Sequence, residues 1–480
     1  MKEKEESYVK EITKIEENFA RWYTDVVLKT GLADYTDTKG CIAIKPYGYS
    51  IWENIQKYAD GKFKENGVKN IYLPLLIPES LLQKEQDHVE GFAPEVAWVT
   101  MGGGEQLEER LCIRPTSETM FSTMFAKWTN SWRDLPIISN QWCSVLRWEK
   151  ETRPFLRSRE FLWQEGHTVH ATPEEARDLT LKILDVYQDV IENLLAIPVI
   201  KGQKTDKEKF AGADETYTVE TLMMDGRSLQ SGTSHYFGQN FSKPFDIKFQ
   251  NKAGEIEYAY QTSWGISTRL IGGIIMSHGD NRGLKLPPRV APIQAIIIPI
   301  ANKKEIVNNK CNEVLNSLKD KYRVEIDNRD YYTTGYKFND WEMKGVPVRI
   351  EIGPRDIENG VATLVRRDTF EKTTVKFEEL KEKLGDMLEE IHTNMYNNCL
   401  ERNKQKTSVA YTLEEFIEKI NTNQGYIYTM WCGDEECENK IKDETGAHSR
   451  CLPFEQKKIA DKCVCCGKEA KHLVIWGRQY

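Results

Sequence analysis

Leu146-Arg147-Trp148-Glu149, and then Pro154-Phe155-Leu156-Arg157-Ser158-Arg159-Glu160-Phe161-Leu162-Trp163-Gln164-Glu165, is the stretch that decides the fold. In an extended segment, Arg147 and Glu149 lie two apart and face one side of a strand. Residues 150–154 are charged and end in proline, which predicts a hairpin loop. The returning strand then carries Arg157 back over the same face. A planar guanidinium grips a phosphate or carboxylate through paired hydrogen bonds, and a nearby glutamate accepts from an adenine amino group. A surface hairpin with ordinary salt bridges would use the same residues, so this pair of arginines does not decide function alone.

Other words fall around it in a fixed order. Upstream are Ile71-Tyr72-Leu73-Pro74 and Arg114-Pro115-Thr116-Ser117-Glu118. Downstream are Leu229-Gln230-Ser231-Gly232-Thr233-Ser234-His235 and Ser263-Trp264-Gly265-Ile266-Ser267-Thr268-Arg269. Together these resemble class II aminoacyl-tRNA synthetases, and the prolyl-tRNA synthetase family in particular. The arginine hairpin resembles the class's motif 2, Gly265 to Arg269 its motif 3, and Pro74 the proline of motif 1. Thr116-x-Glu118 resembles the family's amino-acid loop. The resemblance runs to Tyr480 and implies the archaeal/eukaryotic-like branch. Bacterial relatives with an editing insertion carry it between motifs 2 and 3, and the roughly ninety residues from His170 to Ser263 leave it no room.

The gross numbers agree with a soluble, multi-domain protein. A chain of 480 residues is too long for one core. Its 40% hydrophobic and 29% charged residues are ordinary for a globular chain. The first six residues lack the apolar run of a signal peptide, and Pro299 interrupts the run at Ile296-Ile297-Ile298 long before a membrane span, so a cytoplasmic location is expected. A net charge of −8 argues against a generic nucleic-acid coat but does not exclude docking of RNA on a local patch.

Three domains are expected. Val9, Ile12, Ile15, Phe19, Trp22 and Val26 recur at helical spacing and predict an opening amphipathic helix. Thr172-Pro173-Glu174-Glu175 predicts a helix start with a glutamate reaching back, and the segments 71–77 and 139–148 read as strands. Pattern alone is compatible with an antiparallel sheet flanked by helices; the resemblance selects it, as a class II catalytic domain over residues 1–287. Beyond Leu286-Pro287-Pro288, strands at 292–300, 322–326, 346–352 and 361–367 alternate with helices at 303–319 and 336–344. That α/β pattern resembles an anticodon-binding domain over 288–400. Residues 401–480 form a third, small domain, so the fold class is α/β in the wider, α+β sense.

The resemblance implies a two-step reaction: L-proline and Mg²⁺-bound ATP give prolyl-adenylate, and tRNA(Pro) takes the prolyl group. An attack between two anions needs neutralisation and alignment more than a protein nucleophile. By resemblance, Arg147 bridges the proline carboxylate and the α-phosphate, and Trp148 and Glu149 hold adenine. Arg157 and Ser158 grip the γ-phosphate end, and Arg269, beside Ser267, stacks on adenine or pairs with phosphate. Gln230 and Thr233 are further ATP contacts, with Gln230 also a magnesium contact. Thr116 and Glu118 meet the proline ammonium, and Trp163, Phe210 and His235 wall its ring. Glu165 and His167 are left open between pocket and supporting roles. Motif 1 implies a homodimer.

Six of the eleven cysteines lie between Cys432 and Cys466. Cys432 and Cys437 with Cys463 and Cys466 have the character of a structural zinc site, with Cys465 an alternative to Cys466. In the second domain Glu351, Arg355 and Asp356, at a strand end, are candidates for reading unstacked anticodon bases. Two other readings are a threonine-specific relative, disfavoured by Thr116-x-Glu118 and Thr233-Ser234-His235, and a non-catalytic paralogue, which would typically lose arginines that this chain keeps.

Overall fold

A computed structural model describes residues 12–86, 95–301 and 304–480. Val9 and the first six residues lie outside them. The opening helix runs Phe19–Lys29, not from Ile12: Asn18 accepts the Arg21 N–H and starts it, while Ile12 and Ile15 reach the core from irregular chain.

An eleven-stranded sheet carries the site. From one edge its strands are Thr407–Val409, Tyr426–Trp431, His472–Gly477, His448–Pro453, Val199–Gln203, Glu215–Leu222, Ser228–Gly238, Tyr260–Ser267, Glu160–His170, Ile137–Leu146 and Lys69–Asn70. All pairings from His448–Pro453 to Ile137–Leu146 are antiparallel. Alternation divides the two faces. Gln164 and Trp264 turn to the back, where Tyr187 donates to Gln164 at 2.8 Å and Phe63 packs 5.2 Å from Trp264. The helices Pro46–Glu65 and Pro173–Asp189 bring those rings. The second begins as its sequence predicts, Thr172 accepting the Glu175 N–H, but the Glu175 carboxylate reaches His170 instead of the cap backbone.

Several strand expectations shift. The first strand stops at Leu146, and the next begins only at Glu160, so Arg147, Glu149 and Arg157 all sit in the connecting loop. Glu149 N–H donates to the Arg147 carbonyl, a turn that ends the ladder. Phe155 and Leu156 are buried in the main core, Phe155 at φ 63°, and Tyr23 holds the Pro154 carbonyl at 2.7 Å, so the loop is anchored. Only Leu76–Pro78 of the 71–77 segment is a strand, paired with Glu105–Ile113, while the Leu73 N–H goes to the Gln141 side chain.

The second unit is a five-stranded mixed sheet in the order Val324–Ile326, Ala295–Pro299, Val348–Ile352, Val361–Arg366 and Lys372–Lys376, with its own apolar cluster. The helix Leu380–Gln405 runs across position 400 into the third unit. That third unit has its own core but is not detached, because its strand His448–Pro453 pairs directly with Val199–Gln203. A side chain at Gly202 would meet the Leu452 carbonyl at 2.3 Å, so glycine permits the join. Among the described residues, no helix is long and apolar enough to cross a membrane.

Candidate active site

The front face of the sheet opens into a cavity of about 300 Å³. Its floor follows the pleat: Trp163, Glu165 and His167 from one strand, Ser263, Gly265 and Ser267 from the next, Ser231, Thr233 and His235 from the third. Thr116, Glu118, Arg147, Phe210, Gln230 and Arg269 complete the expected residues in its lining.

At one end the pocket is narrow and aromatic. The Phe210 and His235 rings lie 4.8 Å apart, and Trp163 stands edge-on to Phe161 at 6.0 Å. Trp163 is tethered by its indole N–H to Cys143 Sγ at 3.3 Å. Thr216 Oγ1 accepts the Phe210 N–H at 3.0 Å and lies 3.0 Å from His235 Nδ1. Burial, with the nearby His167, pushes the His235 pKa down to about 3, so the ring stays neutral at physiological pH. Thr116 donates its hydroxyl to the Glu118 carboxylate, fixing the anion at this end.

Glu165 and His167 stand behind that loop. Glu165 accepts from Ser117 N–H at 3.2 Å, Ser117 Oγ at 2.5 Å and Gln141 Nε2 at 2.9 Å, with His167 Nε2 at 3.1 Å. Burial would raise its pKa, but these partners together hold it below the usual carboxylate value. Glu165 thus orients the Thr116-Ser117-Glu118 turn as a buried acceptor, and His167 stacks on Phe121 at 4.0 Å.

The other end is cationic. Arg147 anchors its Nε–H on the Pro115 carbonyl at 3.0 Å and lies over the Phe161 and Trp163 rings. Arg269 donates Nε–H to Leu156 O at 3.1 Å and Nη1–H to Gln230 O at 3.3 Å, while its own N–H rests on Ser267 Oγ. Desolvation, with Arg147 and Arg157 as like charges, lowers the Arg269 pKa to about 10. Arg147 and Arg269 in the lining, with Arg157 close enough to act on Arg269 as a like charge, make this end suited to a polyphosphate.

Four expected residues lie outside this cavity wall. Trp148 is exposed, stacks under Arg159 at 4.2 Å and borders a separate hollow with Glu79, Glu95 and Lys150. Glu149 and Arg157 face each other across the loop at 4.0 Å, and Ser158 is buried beside them. Lys204, Glu208 and Thr216 were missed: they line the cavity from a run of charged residues that reads as a solvated surface.

The chain's similarities agree with this geometry. Residues 98–278 match the profile of the tRNA synthetase class II core domain (G, H, P, S and T). Residues 294–387 match an anticodon binding domain, and 413–480 the C-terminal domain of prolyl-tRNA synthetase. A proline–tRNA ligase of Clostridium novyi is 59% identical over 99% of this chain and 100% of its own length, and one of Alkaliphilus oremlandii is 58% identical over the whole of both. The crystal structure of prolyl-tRNA synthetase from Cryptosporidium parvum, complexed with halofuginone and AMPPNP, is 45% identical, with a TM-score of 0.93 over 98% of this chain and 99% of that one.

The chain belongs to the prolyl-tRNA synthetase family. Its activity is that of a proline–tRNA ligase, built on the class II core.

In this synthetase Cys432, Cys437, Cys463 and Cys466 bring their sulfurs within 4.8 Å of one another. Cys432 Sγ is 3.7 Å from both Cys437 Sγ and Cys466 Sγ. A tetrahedral ion about 2.3 Å from each thiolate needs sulfurs about 3.8 Å apart, so the set fits zinc. Cys465 stays out of the set and packs on the adjoining apolar cluster. In the second unit, the Asp356 carboxylate accepts the Gly353 N–H at 2.7 Å and Glu351 accepts from Arg349 at 2.9 Å, while Arg355 remains exposed.

Proposed function

We propose that the aromatic end of the cavity binds L-proline and the arginine end binds ATP, so that prolyl-adenylate forms between them and is passed to the 3′-terminal adenosine of tRNA(Pro). The observation that carries this reading is one cavity holding Glu118 and neutral His235 at one end and Arg147 and Arg269 at the other. Proline's secondary ammonium meets Thr116 and Glu118, and its ring lies among Trp163, Phe210 and His235. Its carboxylate then points at Arg147. That guanidinium neutralises both the attacking carboxylate and the α-phosphate, where negative charge concentrates as pyrophosphate leaves. Arg269 and Arg157 hold the departing end, with Ser158 behind them, and Gln230, Thr233 and Ser267 line the path. Magnesium on the ATP phosphates supplies further neutralisation, with Gln230 the candidate contact. Glu149 and the backbone around Trp148 receive adenine when the loop meets the nucleotide.

The division of labour follows: residues 1–287 for chemistry, 288–400 for the anticodon, 401–480 for a zinc-bound module. Cys432, Cys437, Cys463 and Cys466 would hold zinc with no open position, a structural role. Arg355 is the strongest anticodon candidate, since Glu351 and Asp356 are engaged within the fold. Tyr72, Leu75 and Leu76 beside Pro74 are exposed, as are Trp98 and Met101 on another strand of the same small sheet, which supports a homodimer across motif 1. Eleven cysteines outside any disulfide, four of them in the zinc set, suit a cytoplasmic enzyme.

Amino-acid-dependent ATP–pyrophosphate exchange with all twenty amino acids tests the reading. Strong exchange with proline, weak exchange with alanine or cysteine, is the expected result. A folded protein with no exchange for any amino acid would overturn it.

A further inference from the structure

The segment from Lys204 to Phe210 leaves the catalytic sheet, forms one edge of the cavity and ends at the aromatic wall. Its residues are held almost one by one from the C-terminal module. Lys204 Nζ pairs with Glu220 at 3.0 Å, and Glu220 is clasped by Arg450 through contacts of 2.9–3.1 Å. Thr205 Oγ1 donates to Glu438 at 3.0 Å, Lys207 reaches Asn439, and Glu208 meets His448 Nδ1 at 3.0 Å. Lys204, Glu220, Glu438 and Arg450 are all buried. Both ends of the Glu220–Arg450 pair sit at breaks in strand register, between Val219 and Glu220 and between Ser449 and Cys451. Such bulges re-aim a side chain, and here they turn two charges toward each other across the join.

We propose that Glu438 and Arg450 are positioning residues for the amino-acid pocket: through Thr205 and through the Glu220–Lys204 pair they hold the 204–210 segment, and with it the Phe210 wall, against the catalytic sheet. This inference rests on the reading of that wall as the proline pocket. Glu438 and Arg450 do not line the cavity themselves. Along the 204–210 segment the module's contacts end two residues before Phe210; its other contacts, at Ser228 and through Tyr480 to Arg153, lie apart from Glu438, and Arg269 itself is anchored on Leu156 and Gln230. Loosening the hold on 204–208 should therefore weaken proline more than ATP.

Pyrophosphate exchange with purified full-length Thr205→Val, Thr205→Ser and Phe210→Ala, alongside thermal unfolding of each, tests it. Thr205→Val removes one donor to Glu438 and leaves the Ser449 donor in place. The proline KM should rise about tenfold in Thr205→Val, with the ATP KM changed less than about twofold and Thr205→Ser close to the parent. If Thr205→Val does not fold, Asn439→Ala removes the Lys207 contact from outside and should raise the proline KM about threefold. An unchanged proline KM in a folded variant, or equal rises in both KM values, overturns the proposal while Phe210→Ala still weakens proline. If Phe210→Ala leaves the proline KM unchanged, the pocket reading itself fails.

Discussion

Arg269 donates its Nε–H to the carbonyl of Leu156 at 3.1 Å, so the first residue of the helix Arg269–His278 holds the buried turn of the motif 2 loop. The two arginine words, more than a hundred residues apart in sequence, are one hydrogen-bonded unit before any substrate arrives. Arg269→Lys keeps a charge but loses the fork that spans Leu156 and Gln230 and, in the function proposed above, a phosphate. Proline-dependent exchange should fall about 100-fold in kcat. Stability should drop by about 1 kcal/mol from the lost donor. Wild-type turnover in Arg269→Lys would show that no bridging fork is needed.

The same junction depends on a missing side chain. A Cβ at Gly272 would lie 2.4 Å from Leu156 Cδ2 and 2.9 Å from the Tyr23 hydroxyl. Gly272→Ala must displace the buried loop residue, a cost of about 1–3 kcal/mol by overpacking. Denaturant midpoints should fall accordingly, and the ATP KM should rise because Arg157 rides on that loop. An unchanged midpoint would mean the loop yields freely.

Much of this site was legible because the chemistry sits in short contiguous words. Thr116, Glu118, Arg147, Thr233, His235 and Arg269 meet in one cavity, as the motifs imply. The α/β alternation after Pro288 was readable from apolar runs and turns. Less legible was anything set by the tertiary path. The charged, proline-ended segment 150–154 reads as a hairpin loop with Arg157 on the returning strand, yet Phe155 and Leu156 dive into the core and delay the ladder to Glu160. Ile12 and Ile15 have helical spacing but pack without a helix. Lys204 and Glu220 are a buried pair and Glu208 is half-buried; Glu220 and Glu208 find further partners in Arg450 and His448, far along the chain, and no local pattern signals them.

Buried histidines set an acid limit on stability. His278 holds the Leu195 carbonyl through Nε2 at 2.8 Å, and burial, against that bond, lowers its pKa to about 3. An unfolded histidine titrates near 6.5, so between pH 6.5 and about 3 the unfolded chain binds the extra proton and stability falls as pH falls. His278→Gln should reduce the slope of unfolding free energy against pH in that window by about 1.4 kcal/mol per unit. Urea titrations at pH 5 and 7 measure it. An identical slope in the variant would remove His278 from the account.

The four-thiolate cluster should retain about one zinc per chain after dialysis, read by elemental analysis. Cys463→Ser should lose most of it. Because His448–Pro453 is hydrogen-bonded to Val199–Gln203, metal loss should also lower the unfolding temperature of the catalytic sheet. Chelation that strips zinc yet leaves the melting curve unchanged would argue that the join transmits nothing.

Selectivity against alanine is limited by the physics of the pocket. Phe210, Trp163 and His235 can favour the proline ring, but each missing methylene costs the smaller substrate only about 1–3 kcal/mol. Alanine therefore enters, and a correction step would need a second hydrolytic site. The chain between the strands Glu160–His170 and Tyr260–Ser267 is taken up by the helix Pro173–Asp189, the three sheet strands Val199–Gln203, Glu215–Leu222 and Ser228–Gly238, and a small hairpin of Lys248–Gln250 and Ile256–Tyr258. Those elements leave no room for an inserted domain between the two strands. Alanine-dependent exchange should be measurable, with kcat/KM lower than for proline by about 100-fold or more. Alanyl-tRNA(Pro) incubated with the purified enzyme should decay no faster than in buffer. Enzyme-dependent deacylation would place an editing site in this compact chain, and the cavity between Phe210 and Arg269 would be the first place to look for it.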